Sequence, residues 1–388
     1  MKPQQMSWES RIEMTVSCQD CADIPKVANA GAIVVENGRR IQIMHNGVRV
    51  VAGGYYGVFI EEIITRLRGH HEPQEEKIFH QVLRHLTENA SMLEVGCFWS
   101  YYSIWFMHEF SGTRRSIVVE PDPANLSVGR ENAQLNNAPI EFIQASVGEK
   151  STGPREFQAE ASGTIWVEQL SVPDIMLAKN LDRLDVLHCD AQGAELSVVR
   201  SCETLFRDHR IRFVVLSTHA CEITGDPLTH QRCLALLEDF GGRILAEHDV
   251  HESFSGDGLI VAYFGDETLD WPDISISYNR YTTSLFPNPI WHLFAALEQN
   301  EKLERERETI SAKCDDAVRR LEVEKQGLTV EVKRLEKCDD AVRRLEDEKQ
   351  GLTVEVERLQ SQVLAMYAST SWKFARPVRV LGKLWRRK

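Results

Sequence analysis

From residue 91 to about 265 the chain alternates short β-branched apolar runs with stretches of helical periodicity, and nothing else in the sequence constrains the fold as much. Alternation of this kind buries both faces of a sheet beneath helices, so it predicts an α/β domain with a mostly parallel sheet. The strand-like runs are SMLEVG, RSIVVE, IEFIQA, LDVLHCD, IRFVVLST, GRILAEH and GLIVAYF. Helix-like segments YSIWFMHEF, PANLSVGRENAQLN, GAELSVVRSCETLF and THQRCLALLEDFG fall between most of them. Only DVHESFSGD separates the last two runs, too little for a crossover, so they should close the sheet as an antiparallel hairpin. A plain dinucleotide fold would use six parallel strands instead.

The flanks differ in composition. Residues 1–85 form an N-terminal extension, with β-branched runs punctuated by Asn37-Gly38 and Asn46-Gly47, which predict a hairpin. A helix follows in EPQEEKIFHQVLRHLTENA, where Pro73 suits the first turn and Ile78, Val82, Leu83 and Leu86 form a stripe. The α/β domain is placed at 86–270 and a linker rich in Pro, Ser and Asn at 271–296. From 297 to 366 a duplication appears: the 24 residues from Lys313 recur from Lys337 with three differences, Val323/Asp347, Lys333/Glu357 and Glu336/Gln360. Leu321, Leu328 and Leu335 are seven apart, as are Leu345, Leu352 and Leu359, so an α-helical coiled coil is expected. Taken as one helix, 300–366 would run roughly 100 Å and call for self-association.

The net charge of -13 argues against nucleic acid, but Trp372–Lys388 carries only basic residues among its charges. Nine cysteines form no framework, and Cys18 and Cys21 lack a second CxxC to complete a zinc site. With no apolar h-region at the N-terminus and no stretch of about 18 uncharged apolar residues, a cytoplasmic protein with reduced thiols is expected.

The chemistry concentrates at strand ends. In MLEVGCFWSYY the chain must turn sharply after the first strand, and Gly96 supplies the freedom for a cofactor to lie against main-chain atoms. Glu94 ends that strand, and Glu120 ends the next one, where a carboxylate holds a ribose diol in nucleotide-binding α/β folds. DVLHCDAQGAE places His188 and Asp190 at the fourth strand's carboxyl edge, and STHACE places His219 at the fifth's, where an imidazole or carboxylate can take a hydroxyl proton. Glu195 suits the following helix's N-terminus. A divalent metal on Asp190, His219 and Glu222 or His248 is compatible by ligand type. No tight spacing enforces it, and no metal site is predicted. In GHHEPQEEKIF, His70, His71 and Glu72 are candidates to face the cleft.

LEVGCFWSYYS, VVEPDPANL and LHCDAQGAE together resemble the FkbM family of S-adenosylmethionine-dependent O-methyltransferases over residues 85–265. That resemblance implies a Rossmann-like class I methyltransferase sheet of seven strands. The family's first motif is similar to an acid, a residue, Gly, a small residue, Asn, a residue and Gly; here Phe98 stands for the Asn and Ser100 for the second Gly. DAQGAE is close to its Asp-x-Glu-Gly-x-Glu signature, with Gln192 for the first Glu. The resemblance implies S-adenosylmethionine as cofactor, held by Glu94, Gly96, Ser100, Glu120, Asp122, Gln144 and Ser146, with His219, Asp190 and His188 as the catalytic candidates. It also implies methyl transfer to a hydroxyl, commonly on a sugar or polyketide-like acceptor.

The tail, 367–388, includes TSWKFARPVRVLGKLWRRK, which resembles a C-terminal element of bacterial surface-polysaccharide enzymes, glycosyltransferases among them. A helix started at Pro377 would place Val378, Leu381, Leu384 and Trp385 on one face beside Arg379, Lys383 and Arg386, a basic interfacial anchor for the inner membrane face. The partners expected are thus a glycan or lipid-linked glycan acceptor, further copies of the chain through the coiled coil, a membrane surface and a glycosyltransferase. A non-catalytic coiled-coil scaffold for glycan-assembly enzymes is the rival reading. An NAD(P)-dependent oxidoreductase is disfavoured by the missing glycines in GCFWSYY.

Overall fold

A computed structural model describes residues 7–109, 113–279, 289–323 and 329–368, and it divides into two units, 1–286 and 287–388. The first unit opens with α1 (Trp8–Ser17), capped by the Ser7 hydroxyl accepting from Ser10 N–H at 3.2 Å. Strands β1 (Ile33–Glu36), β2 (Arg39–Ile43) and β3 (Arg49–Val51) follow as an antiparallel meander. Asn37 and Gly38 join the first two at φ 51° and 77°, both left-handed, as a two-residue hairpin turn demands. Helices α2 (Val58–Arg66) and α3 (Pro73–Leu83) lead to the main sheet.

That sheet uses all seven runs read from the sequence. In chain order the elements are β4 (Ser91–Val95), α4 (Tyr101–His108), β5 (Arg115–Val119), α5 (Pro123–Leu135) and β6 (Ile140–Ile143). Next come β7 (Ser146–Val147), β8 (Thr152–Ala159), β9 (Gly163–Leu170), α6 (Val172–Ala178) and β10 (Leu184–Cys189). Then come α7 (Glu195–Ser201), α8 (Glu203–Arg207), β11 (Ile211–Thr218), α9 (Cys221–Thr224), α10 (Thr229–Asp239), β12 (Arg243–His248) and β13 (Gly258–Tyr263). The strand order is β12-β13-β11-β10-β4-β5-β6. The pairs from β11 through β6 are parallel, while β13 runs antiparallel to both β11 and β12. Chain order reverses between β4 and β10, which opens a crevice at their carboxyl ends.

Alternation along the strands feeds two cores. Phe213 and Val215 pack with α3 and α4 residues such as Phe79, Tyr101 and Trp105, while Val214 and Leu216 pack on the other face with Val198, Phe206 and Leu237. Burying each of these large side chains contributes roughly 2–3 kcal/mol. Between β6 and α6 lies a small sheet of order β7-β9-β8, which the strand reading did not anticipate because β8 is almost wholly exposed. Residues 271–279, read as the start of a linker, are instead pinned to this unit. Ile276 is buried, Ser277 N–H donates to Asp20 at 2.8 Å, and Gln74 donates to Ser277 O at 2.7 Å.

In the second unit the duplication does not form one continuous helix. Helix α11 (Pro289–Val323) and helix α12 (Thr329–Ala368) pack against each other. Lys349 reaches Glu304 at 2.5 Å and Arg307 reaches Glu346 at 3.7 Å, so the pair is antiparallel. The seam buries Leu303, Cys314, Val356, Leu359 and Val363. Of the second repeat's leucines, Leu359 is buried while Leu345 and Leu352 are half-buried, and Val354 and Leu364 stay exposed. The basic tail from 369 onward lies outside the described residues.

Candidate active site

At the end of β4 the chain turns over Gly96 at φ 78°, its N–H donating to Val119 O at 2.9 Å. A Cβ there would lie 1.9 Å from the Asp190 carbonyl oxygen, so the glycine is required by the neighbouring strand's backbone as well as by any ligand. Phe98 and Ser100 also have left-handed backbones, at φ 38° and 61°. Glu120 fixes this turn: one carboxylate oxygen accepts from Phe98 N–H at 3.1 Å, the other from Asp122 N–H at 2.9 Å. Glu94 accepts from Ser103 N–H at 3.0 Å in the first turn of α4, opposite the developing positive end of that helix. Burial pushes both acids up to about 7, with the amide bonds opposing it.

Beside this turn the rim of β10 and β11 gathers four titratable groups. His219 is buried, with Nδ1 against Glu195 and Nε2 3.1 Å from Asp190 and 3.5 Å from Asp257. Burial alone would lower its pKa, but the three carboxylates around one ring raise it well above the ordinary histidine value. This setting favours the protonated imidazole, whose two ring nitrogens face Glu195 on one side and Asp190 and Asp257 on the other. Asp190 and Asp257 keep 29% and 31% of their side chains exposed, so they are the groups a substrate can touch. Burial would raise Asp190, but His219 outweighs it and holds Asp190 low; burial takes Asp257 up to about 7.

His188, by contrast, faces away from solvent. Its Nε2 lies 2.8 Å from Glu75, whose other oxygen accepts from Ser217 Oγ at 2.7 Å, and its ring packs on Tyr102 at 4.3 Å. It ties α3 to the sheet. Asp122 caps α5 through Ala124 N–H at 2.9 Å and also takes Ala161 N–H at 2.7 Å and Ser162 N–H at 3.1 Å, binding the β8–β9 turn to the helix. Gln144 is exposed and donates to Pro121 O at 3.4 Å, while Ser146 is buried on β7. Ser146 and Gln192 line a groove of ≈ 680 Å³ between β8–β9 and the start of α7. In the histidine-rich loop, His71 bridges Glu76 at 2.7 Å and Glu72 at 3.3 Å, and His70 points inward. Above the turn Tyr55 stacks on Trp99 at 4.8 Å, and the Tyr56 hydroxyl lies 3.5 Å from Gln192.

Residues 88–244 match the family model described as "Methyltransferase FkbM domain". This segment is an FkbM methyltransferase domain. No curated protein sequence matches the chain. Among solved structures the chain is similar to a precorrin-6y C5,15-methyltransferase from Geobacter metallireducens GS-15, at 15% identity and TM-score 0.32 over 48% of this chain and 87% of that one. A magnesium protoporphyrin IX methyltransferase from Synechocystis PCC 6803 with bound SAM gives 12% and 0.33 over 49% and 77%. TrmK of M. capricolum, in complex with S-adenosyl-homocysteine, gives 11% and 0.31 over 70% and 96%.

Within the FkbM domain the two departures from the family's first motif fall at its two left-handed residues. Phe98 stands where Asn tolerates that conformation and Ser100 where Gly favours it, so the turn is retained against the local preference of its side chains. The carboxyl ends of β5, β4 and β10 bring Glu120, Glu94, Gly96 and Asp190 together around the crevice. Sequence reasoning missed Asp257 and Glu75. Asp257 precedes an antiparallel strand, whose beginning lies at the rim where the parallel strands end; the reversed hairpin was the signal that could have found it.

Proposed function

We propose that the FkbM domain transfers the methyl group of S-adenosylmethionine to a hydroxyl of a sugar acceptor in bacterial surface-polysaccharide assembly. The observation that carries the reading is the placement of Glu120, the Gly96–Ser100 turn and Asp190 on three adjacent strand ends around one crevice. The donor set suits that cofactor. Glu120 retains lone pairs beyond the two amides it accepts, enough for a ribose diol, and the Asp190 carboxylate, held low by His219, favours a cationic sulfonium. Once bound, S-adenosylmethionine supplies a methyl group that is already activated.

The protein's own work is alignment and proton removal. The partly exposed Asp190 carboxylate accepts the hydroxyl proton, and His219, held by Glu195, fixes the carboxylate's orientation. Tyr55, Tyr56 and Phe98 supply an aromatic wall suited to a sugar face. The polysaccharide context rests on the resemblance of the basic tail, and attachment to a membrane surface rests on its amphipathic pattern. Among the described residues no helix is long and apolar enough to cross a membrane.

Methyl-labelled S-adenosylmethionine incubated with surface-glycan extracts tests the reading. Label should appear as a sugar methyl ether with wild type and fall at least 100-fold with Asp190→Asn. Label on nitrogen or carbon, or on no glycan at all, would refute the hydroxyl and sugar assignments.

A further inference from the structure

At the histidine-rich loop Cys21, His70 and Glu76 converge in the interior. One donor atom from each lies within 4.8 Å of the others, and their residues are 3%, 0% and 0% exposed. Three features set this cluster apart from an ordinary buried network. The donors are a thiol, an imidazole and a carboxylate, the ligand types of zinc. His70 Nδ1 lies 2.5 Å from Glu76 Oε2, while His70 Nε2 is buried with no hydrogen-bond partner among the described residues. That is an expensive omission for a nitrogen wholly removed from water. Finally, His45 stacks on His70 at 4.2 Å, with its Nδ1 4.0 Å from Glu76 Oε2, so a second imidazole stands at the edge of the cluster.

We propose that Cys21, His70 and Glu76 hold a structural zinc ion, with His45 or a water at the fourth position. Binding releases the Cys21 thiol proton to solvent, after which the thiolate and the Glu76 carboxylate together neutralise the dication. In the metal-free state that thiol donates to Pro73 O at 3.1 Å. The ion would staple the segment around Cys21 to the start of α3. Glu75 projects from that helix turn to hold His188, and the Glu76 carboxylate orients the His71 and Glu72 backbone amides at 2.7 and 3.1 Å. Cys21, which has no second CxxC in the sequence to complete a zinc site, thus finds partners about fifty residues away, where no metal site was expected.

The test uses the full chain, purified without chelators or a polyhistidine tag. Elemental analysis should find about one zinc per chain, and zinc added back to chelator-stripped protein should raise the unfolding temperature. Cobalt in its place should give a thiolate-to-metal charge-transfer band that Cys21→Ser abolishes. Cys221→Ser, which alters an exposed cysteine, should leave the band intact. Failure of stripped wild type to take up zinc stoichiometrically would overturn the proposal even if the variants do not fold, as would a cobalt complex without a thiolate band. Neither readout involves S-adenosylmethionine, so the result stands apart from that of the proposed methyl transfer.

Discussion

Ser100 holds a left-handed backbone at φ 61° without a side-chain cap for α4, a conformation that costs an L residue about 1 kcal/mol or more. Ser100→Gly should therefore stabilise the domain by about 0.5–1 kcal/mol in denaturant unfolding. Gly96→Ala should do the reverse, losing more than about 3 kcal/mol, because its Cβ would meet the fixed Asp190 carbonyl. Both residues belong to one short run, which is why the turn was legible in the sequence. The state of His219 was not: its three carboxylate neighbours come from β10, α7 and the loop before β13, and only folding brings them together. Glu195→Gln should move the His219 titration down, and nitrogen chemical shifts of labelled histidine would detect it. An unchanged titration would show that Glu195 does not hold the ring.

At the scale of elements, the seven strands were readable because each alternates between two apolar cores or is buried outright. The β8–β9 hairpin has a weaker imprint. Trp166 is 71% exposed, and the turn of the hairpin is held to α5 by Asp122. Asp122→Ala should remove a helix cap worth about 1 kcal/mol and speed hydrogen exchange at Ala161 and Ser162, leaving the central sheet protected. Equal deprotection of β4 and β5 would contradict that attachment. The duplicated segment shows a different limit of sequence reading. Leucines spaced by seven specify a seam but not its partner, and Leu359 is buried where α11 and α12 of one chain pack together.

At the scale of the whole molecule, three buried groups with raised pKa values act in one direction, against His45, His80 and His248, whose burial lowers theirs. Glu94 and Glu120 sit near 7 against an ordinary carboxylate value of 4.5, and His71 near 10 against 6.5. Each raised group favours its protonated form in the folded state. Its contribution is complete below the unfolded value and lost as pH rises through the folded one, from about 4.5 to 7 for the acids and from about 6.5 to 10 for the histidine. Above pH 6.5 the lowered histidines add nothing further, so the unfolding temperature should fall as pH rises from 6.5 to 9, and Glu94→Gln should flatten the part of that slope near 7. The central claim is that the three strand ends around Glu120 form a site for S-adenosylmethionine. Calorimetric titration of the folded protein, wild type and Glu120→Ala, measures it most directly, with circular dichroism confirming that the variant keeps its fold. The account predicts stoichiometric binding of S-adenosylmethionine and S-adenosylhomocysteine but not NADH, lost in the variant. No binding of either by folded wild type would contradict it and favour a scaffold that has kept the fold without the chemistry.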